Sequence, residues 1–211
     1  MPLQILPSRG ADMYREAVVE RAAYAPAPFN AILMPEGQAP PNILDVRAEG
    51  LRHELNQPGV VSYKLIDTDI EGDESEQAIA FAMWVVYDQD HPYVPRPGPE
   101  LPSGANKEAF ALLCVGIAEM KEKCMGDKPH IFLRSLRTDP QHQGRGAGKM
   151  LVKKCIEESE RRNLPIYLDS SMPGHKLYLK QGFRDVGECL TDFSKWGMTE
   201  KHWNWAMIRD P

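Results

Sequence analysis

The sequence predicts a mixed α/β (α+β) fold, with a mostly antiparallel central sheet flanked by helices. Three observations lead there. Two strand-like runs rich in branched and aromatic residues, Val60–Asp67 and Ala78–Tyr87, are separated by a short acidic segment, which suits an antiparallel hairpin. Later strand candidates alternate with helical stretches, so the hairpin continues into helix-connected strands and the sheet is mixed. The chain has 211 residues, 42% hydrophobic and 26% charged, an ordinary globular composition. A chain of that length buries roughly 70% of its unfolded surface. No second core and no linker is visible, so residues 1–211 are expected to form one domain.

In chain order, residues 3–6 read as a short strand. Asp12 reads as the N-cap of a helix running to Tyr24, stopped by Pro26 and Pro28. Residues 35–41 form a Pro/Gly-rich loop. Residues 42–55 carry Ile43, Val46 and Leu51 among charges, an amphipathic helix ended by Pro58-Gly59. After the hairpin, residues 88–106 hold five prolines and two glycines. That length suits a lid or binding loop, or an inert surface loop. Residues 107–125 read as a helix with Phe110, Leu113, Cys114, Ile117 and Met120 on one stripe. Residues 130–137 are a strand closed by the Thr138-Asp139-Pro140 break. Residues 146–162 are helical, with Met150, Leu151, Cys155 and Ile156 on the apolar face. Residues 166–169 are a strand, 174–181 a short helix, and 183–189 and 203–209 the closing strands.

Composition narrows function. Lys plus Arg is 25 against 30 for Asp plus Glu, a net charge of −5, which disfavours nucleic acid as a partner. No apolar run approaches the roughly 20 residues needed to cross a bilayer, so no membrane partner is expected. The N-terminal apolar stretch is too short for a signal peptide. Cys114, Cys124, Cys155 and Cys189 form no CxxC pair and stand beside no histidine cluster of zinc spacing, so no metal is expected. They read as small buried hydrophobes or bystander thiols, and with no secretory signal a reducing compartment is the simpler assignment. The cytoplasm is the expected location, and the nucleus is compatible. Nothing in the sequence indicates an oligomeric state.

The most informative stretch is Gln141-His-Gln-Gly-Arg-Gly-Ala-Gly-Lys149, between a strand and a helix. Gly144, Gly146 and Gly148 permit unusual backbone angles and close approach by a ligand. The first N–H groups of a helix have no internal partners, and the helix dipole is positive there, so an anion such as a phosphate is expected, with Arg145 and Lys149 adding charge. A P-loop fails twice, because Met150 follows Lys149 and Gln143 occupies the first glycine position. The dinucleotide fingerprint fails because Lys149 stands where its third glycine belongs. What remains is Q-x-x-G-x-G, Gln143 to Gly148. A second signal follows one helix and one strand later: Leu177-Tyr-Leu-Lys-Gln-Gly-Phe183.

With both signals in place, the sequence resembles the GNAT superfamily of acetyl-coenzyme A-dependent N-acetyltransferases. Its members carry [Q/R]xxGx[G/A] opening a helix and a later helix ending LYxxxGF. The resemblance is specific over residues 131–188. It implies a GNAT-like fold with acetyl-CoA as co-substrate. The backbone N–H groups of Gln143, Gly144, Arg145, Gly146, Ala147, Gly148 and Lys149 would cradle the coenzyme pyrophosphate. The main chain of Leu136, Arg137 and Thr138 would pair with the pantetheine arm as an added strand does. A backbone N–H near Leu136 would polarise the thioester carbonyl. Tyr178 matches the family tyrosine that protonates the departing thiolate. Ser171 stands where the family often has an asparagine contacting pantetheine. The family's usual glutamate on the strand before the glycine turn has no counterpart, since Arg134 and Ser135 lie there. The general base is therefore unassigned. Asp169 and His91 are candidates that read more simply as structural or solvated residues.

His142 and His175 flank the motifs without a third partner. Trp84, Trp203 and Trp205 read as core or sheet-face residues, and Lys153, Lys154, Arg161 and Arg162 as an exposed helix face or a contact for the adenosine phosphate. The implied activity is acetyl transfer to a primary amine by direct attack in a ternary complex. A small-molecule amine is the first expectation, and a protein or peptide amine the second. A non-catalytic acyl-CoA sensor is the rival from another class.

Overall fold

The computed structural model describes residues 2–94 and 101–211. Seven strands form one sheet: β1 (Leu3–Pro7), β2 (Val60–Asp67), β3 (Ala78–Tyr87), β4 (His130–Thr138), β5 (Ile166–Ser171), β6 (Arg184–Thr191) and β7 (His202–Arg209). Among the described residues six α-helices accompany them: α1 (Met13–Tyr24), α2 (Asn30–Leu33), α3 (Ile43–Leu55), α4 (Lys107–Cys124), α5 (Ala147–Arg162) and α6 (Met172–Leu179). The strand order is β1-β2-β3-β4-β5-β7-β6. Every pairing is antiparallel except β4–β5. The mixed, mostly antiparallel sheet expected from the sequence is therefore present. The expected hairpin runs between β2 and β3 with the bounds read from the sequence.

One irregularity organises the molecule. The parallel pair β4–β5 has two rungs only, Ile131↔Ile166 and Phe132↔Tyr167. Beyond them β4 stays with β3 while β5 stays with β7 as far as Ser171, so the sheet opens as a fork. A bulge in the β3–β4 ladder, between Leu133 and Ser135, bends β4 at the start of the opening.

The two faces of the sheet carry different helices. α5 and α6 lie on one face, where Trp84, Ile131, Leu133, Leu151, Cys155, Leu168 and Tyr178 share the largest core. α1 and α3 cover the other face at β2–β4, through Met13, Ala17, Leu51 and Met83. α4 covers that same face at β5–β7, through Met120, Tyr167 and Ala206.

Three local expectations change. Asp12 precedes α1, but its carboxylate does not cap the helix. It instead accepts from Lys64 Nζ at 2.8 Å, Ser75 Oγ at 2.6 Å and the Arg9 N–H at 2.7 Å. Lys64 is buried in β2, and an unpaired buried ammonium costs more than a missing cap. In α3, Val46 is exposed while Ala48 and Leu51 are buried; the working stripe is Leu44, Ala48, Leu51 and Leu55. In α4, Cys114 is exposed and Lys121 is buried. The Lys121 ammonium lies over the rings of Tyr87, Tyr93 and Phe132, at 4.9, 3.9 and 4.8 Å. Of the Pro-rich loop, residues 95–100 lie outside the described residues. Its end is fixed, because Asn106 donates to Leu33 C=O and caps α4 by accepting from the Ala109 N–H at 3.2 Å.

Candidate active site

The glycine turn sits at the open end of the fork. Gly144 and Gly146 have φ of +78° and +88°, left-handed values that glycine adopts without strain. A Cβ built on either would meet nothing within 4 Å, so these glycines serve the backbone path and leave the space outside it open. Gly148 does something different: it lets α5 approach Leu136, Thr138 and Leu177 at ordinary contact distance. Gly146 starts α5 with no side-chain cap, and the first intrahelical bond to it comes from the Met150 N–H. The N–H groups of Ala147, Gly148 and Lys149 thus have no intrahelical acceptor, at the positive end of a 16-residue helix.

A cleft of about 810 Å³ adjoins the turn. Thr138, Gln143 and residues 146–149 form one wall, and Lys176 and Leu177 of α6 with Lys180 at its C-terminal cap the other. The two lysines were not singled out from the sequence; four residues apart at the end of the LYxxxGF helix, they line the cleft together. A groove of about 610 Å³ continues past Lys180 to Lys153, Arg184 and Arg209. Lys154, Arg161 and Arg162 instead pair with Glu157 and Glu158 on the surface of α5.

The inner edge of β4 supplies the rest of the cofactor wall. The Asp139 N–H donates to Ile79 C=O at 2.8 Å across the β3–β4 ladder. Antiparallel rungs alternate, so Arg137 also faces β3, while the N–H and C=O groups of Leu136 and Thr138 turn into the fork. Gln143 Nε2 reaches Thr138 C=O at 3.4 Å, as that orientation requires.

Side chains of the same segment do structural work. Arg137 donates to Glu16 at 2.8 Å and pairs with Glu20 at 3.1 Å, beneath α1. Arg47 bridges Glu20 and Glu54, and Arg134 joins Glu54 at 3.2 Å. Burial pushes the Glu16 carboxyl up to about 7, against the pull of Arg137. Arg15 pairs with Asp139 at 2.8 Å, so α1 is pinned to the end of β4 twice. Arg145 pairs with Asp67 at 2.6 Å and meets His142 Nδ1 at 3.0 Å, so its guanidinium holds the turn against β2. Lys149 is exposed and has no ion-pair partner among the described residues.

Tyr178 is buried on the α5–α6 face, its ring edge-on to Phe183 at 5.6 Å. Burial pushes its phenol well above the ordinary range, so it is held protonated. Gly174 makes room for that ring, because a Cβ there would lie 3.2 Å from Tyr178 Cε2. Ser171 ends β5 one residue before α6. His175 stacks on Trp205 at 4.4 Å and bonds Asp185 at 2.8 Å. Trp84 is in the core, and Trp203 stacks on Trp205. The two base candidates separate. His91 lies beyond the end of β3 at the closed end of the fork, tied to Asp88. Asp169 is half-buried on β5, two residues past the last β4–β5 rung, and accepts from Tyr167 Oη at 2.7 Å. Among the described residues no three His, Cys, Asp or Glu side chains group as metal ligands. No helix among them is long and apolar enough to cross a membrane.

Known proteins share this architecture. A model of the acetyltransferase (GNAT) family matches residues 64–183. A mosquito arylalkylamine N-acetyltransferase like 5b superposes with a TM-score of 0.63 at 12% identity, over 99% of this chain and 100% of its own. Arabidopsis thaliana NAA60 in complex with acetyl-CoA gives 0.58 at 14% identity, over 99% and 98%. A histone acetyltransferase HPA2 and related acetyltransferase from Corynebacterium glutamicum gives 0.58 at 18%, over 100% and 97%.

Proposed function

Because the chain belongs to the acetyltransferase (GNAT) family, it is an acetyl-CoA-dependent N-acetyltransferase, and we propose that it acetylates a primary amine of a small molecule by direct attack in a ternary complex. The observation that carries this reading is the meeting of three features at one fork. These are the orphan N–H groups at the start of α5, the free inner edge of β4, and a buried protonated Tyr178 on the α5–α6 side.

In this reading the backbone of Gln143, Gly144, Arg145, Gly146, Ala147, Gly148 and Lys149 binds the coenzyme diphosphate. Leu136 and Thr138 offer main-chain bonds to the pantetheine arm, and Ser171 a hydroxyl; the Arg137 main chain, expected to join them, is taken up by β3 instead. When acetyl-CoA is bound it supplies the activated thioester. The Leu136 N–H donates to the carbonyl oxygen as charge develops there. The amine nitrogen bonds to the carbonyl carbon, the C–S bond breaks, and Tyr178 gives its proton to the leaving thiolate. At ordinary pKa values, about 10 for tyrosine and 8.5 for a thiol, that transfer is uphill by roughly 2 kcal/mol. Burial raises the phenol further, but the thiolate leaves into the same desolvated pocket, which raises its basicity too.

The preference for a small acceptor rests on what covers the other mouth of the fork. α2 packs against the β6–β7 connection, with Phe29 4.3 Å from His202 and 6.3 Å from Phe193. α4 lies over β6 and β7 on the same side. An extended peptide would need that side open. One domain spanning 1–211 is supported by β1 and β7 belonging to one sheet. The free thiols suit a reducing compartment such as the cytoplasm. The test is an acetyl-CoA-dependent thiol-release screen across small amines, polyamines, amino acids and peptides. Turnover with a small amine is expected; activity on peptides alone would overturn the acceptor class.

A further inference from the structure

We propose that Asp169 is the base that takes the proton from the attacking amine, with Tyr167 holding its carboxylate in place. The assignment rests on the acetyltransferase reading above and names a role that the glycine-turn strand leaves unfilled.

Position argues first. At about 3.3 Å per residue, Asp169 stands roughly 7 Å beyond the Phe132↔Tyr167 rung, just inside the opening of the fork. Its side chain shares a face with Tyr167, and so with α4; Tyr178 lies in the core on the opposite face. A thioester lying in the fork would have Tyr178 on one side of its carbonyl carbon and Asp169 on the other. An acid for the leaving sulfur and a base for the incoming nitrogen need those two sides.

Surroundings argue second. Asp169 keeps part of its surface open, and Tyr167 Oη donates to it at 2.7 Å, which leaves the other carboxylate oxygen for a substrate N–H or one bridging water. Two residues along the same face, β5 Ser171 pairs with the buried β7 Asn204. Burial pushes the Asp169 carboxyl up to about 7, although the Tyr167 hydrogen bond and the Lys121 charge both lower it. The other titratable groups facing it are the thiols of Cys124 on α4 and Cys189 on β6, both held protonated by burial. A carboxylate poised near neutrality can accept a proton from the tetrahedral adduct and release it to solvent each cycle. The step balances: nitrogen bonds carbon and loses a proton to Asp169, sulfur leaves with the C–S pair and gains a proton from Tyr178, and solvent restores both groups.

The test uses the full chain with 2-phenylethylamine, spermidine, lysine and a decapeptide with a free N-terminus as acceptors. Asp169→Asn should lower kcat at pH 7.5 by 100-fold or more and leave the acetyl-CoA Kd within twofold by calorimetry. For wild type, log kcat should rise with unit slope to a plateau above pH 7, at the same pH for every acceptor used. Tyr167→Phe removes a bond that stabilises the carboxylate, so that limb should move to higher pH. Asp169→Asn within threefold of wild type, a limb that tracks the acceptor's own pKa, or a limb unmoved in Tyr167→Phe would each overturn the assignment. If Asp169→Asn does not fold, the Tyr167→Phe profile decides alone. Wild type that binds acetyl-CoA and acetylates an amine, beside a fully active Asp169→Asn, sinks the base and spares the transferase. Wild type that neither binds acetyl-CoA nor frees thiol with any acceptor sinks both.

Discussion

The coenzyme side of the fork is built from main chain: two left-handed glycines, three uncapped helical N–H groups and a free strand edge. The opposite side is built from side chains brought together by tertiary folding. Glu16 and Glu20 of α1 hold Arg137 of β4, Arg134 joins Glu54 of α3, and Asp169 of β5 faces Lys121 of α4. A main-chain site needs few residue identities beyond glycine, so it is written in a short local pattern. A side-chain site can be made from many combinations, so it is specified only by packing. The difference teaches where perturbation should be abrupt and where it should be graded.

The largest expected effect tests the main-chain side. Gly146→Asp should weaken acetyl-CoA binding more than 100-fold by calorimetry. The new Cβ meets no protein atom, so the loss comes from the left-handed φ of +88° and from negative charge placed where a diphosphate would sit. Gly146→Ala separates the two causes, because it carries the backbone strain of about 1–2 kcal/mol without the charge. Equal losses in the two variants would show that backbone strain alone governs the site.

Next is Tyr178→Phe, at the border between the two sides. It should cut kcat at least tenfold and leave acetyl-CoA affinity nearly unchanged. The ring keeps its contacts with Phe183 and the Gly174 turn, so stability should change little. Stopped-flow thiol release at saturating substrates reads the effect; wild-type turnover removes the proton-donor role.

Legibility in the sequence follows the same division. The β2–β3 hairpin, the mixed sheet and the glycine turn were readable because period-two patterning and glycine spacing are local signals. The partners of Arg137 were not, because Glu16 lies 121 residues away. Glu16 and Glu20, four apart on a helix, look the same in sequence as an ordinary solvated face. Lys64 looks like an interruption in a strand, yet it is buried against Asp12, 52 residues upstream. The α4 stripe holds at Phe110, Leu113 and Met120, but Cys114 is exposed and Lys121 is buried. A lysine caged by three aromatic rings overrides the simple rule that only apolar residues face inward. Asp169 was visible as a residue, but its place inside the fork depends on where β4 and β5 part, which no local pattern encodes.

A smaller effect tests the side-chain network. The Glu16 carboxyl has a folded pKa of about 7, above its ordinary 4.5. The folded state therefore holds this proton more tightly than the unfolded chain. The associated stability is fully present below pH 4.5 and is lost as pH rises through 7, by on the order of 3 kcal/mol. Glu16→Gln keeps an acceptor for Arg137 and removes the titration. Its Tm should fall less than that of wild type between pH 5 and 8, by several degrees for a chain of this size. Parallel Tm–pH curves would mean that Glu16 stays ionised beside Arg137 throughout.

The smallest effect returns to the glycine turn and separates its backbone from its side chains. Arg145 lies in the middle of the turn, and a charge-based reading would make it a phosphate ligand. Its guanidinium is instead committed to Asp67 at 2.6 Å, and that pairing holds the Asp67 carboxyl below its usual range. If the cradle is main chain, Arg145→Ala should lower acetyl-CoA affinity by less than threefold, with a salt dependence of Kd close to that of wild type. Lys149, exposed at the first turn of α5 and unpaired among the described residues, should matter more: Lys149→Ala should flatten the salt dependence. A tenfold loss in Arg145→Ala would mean that the arginine leaves Asp67 when the diphosphate arrives, and the coenzyme side would then share the side-chain character of the other.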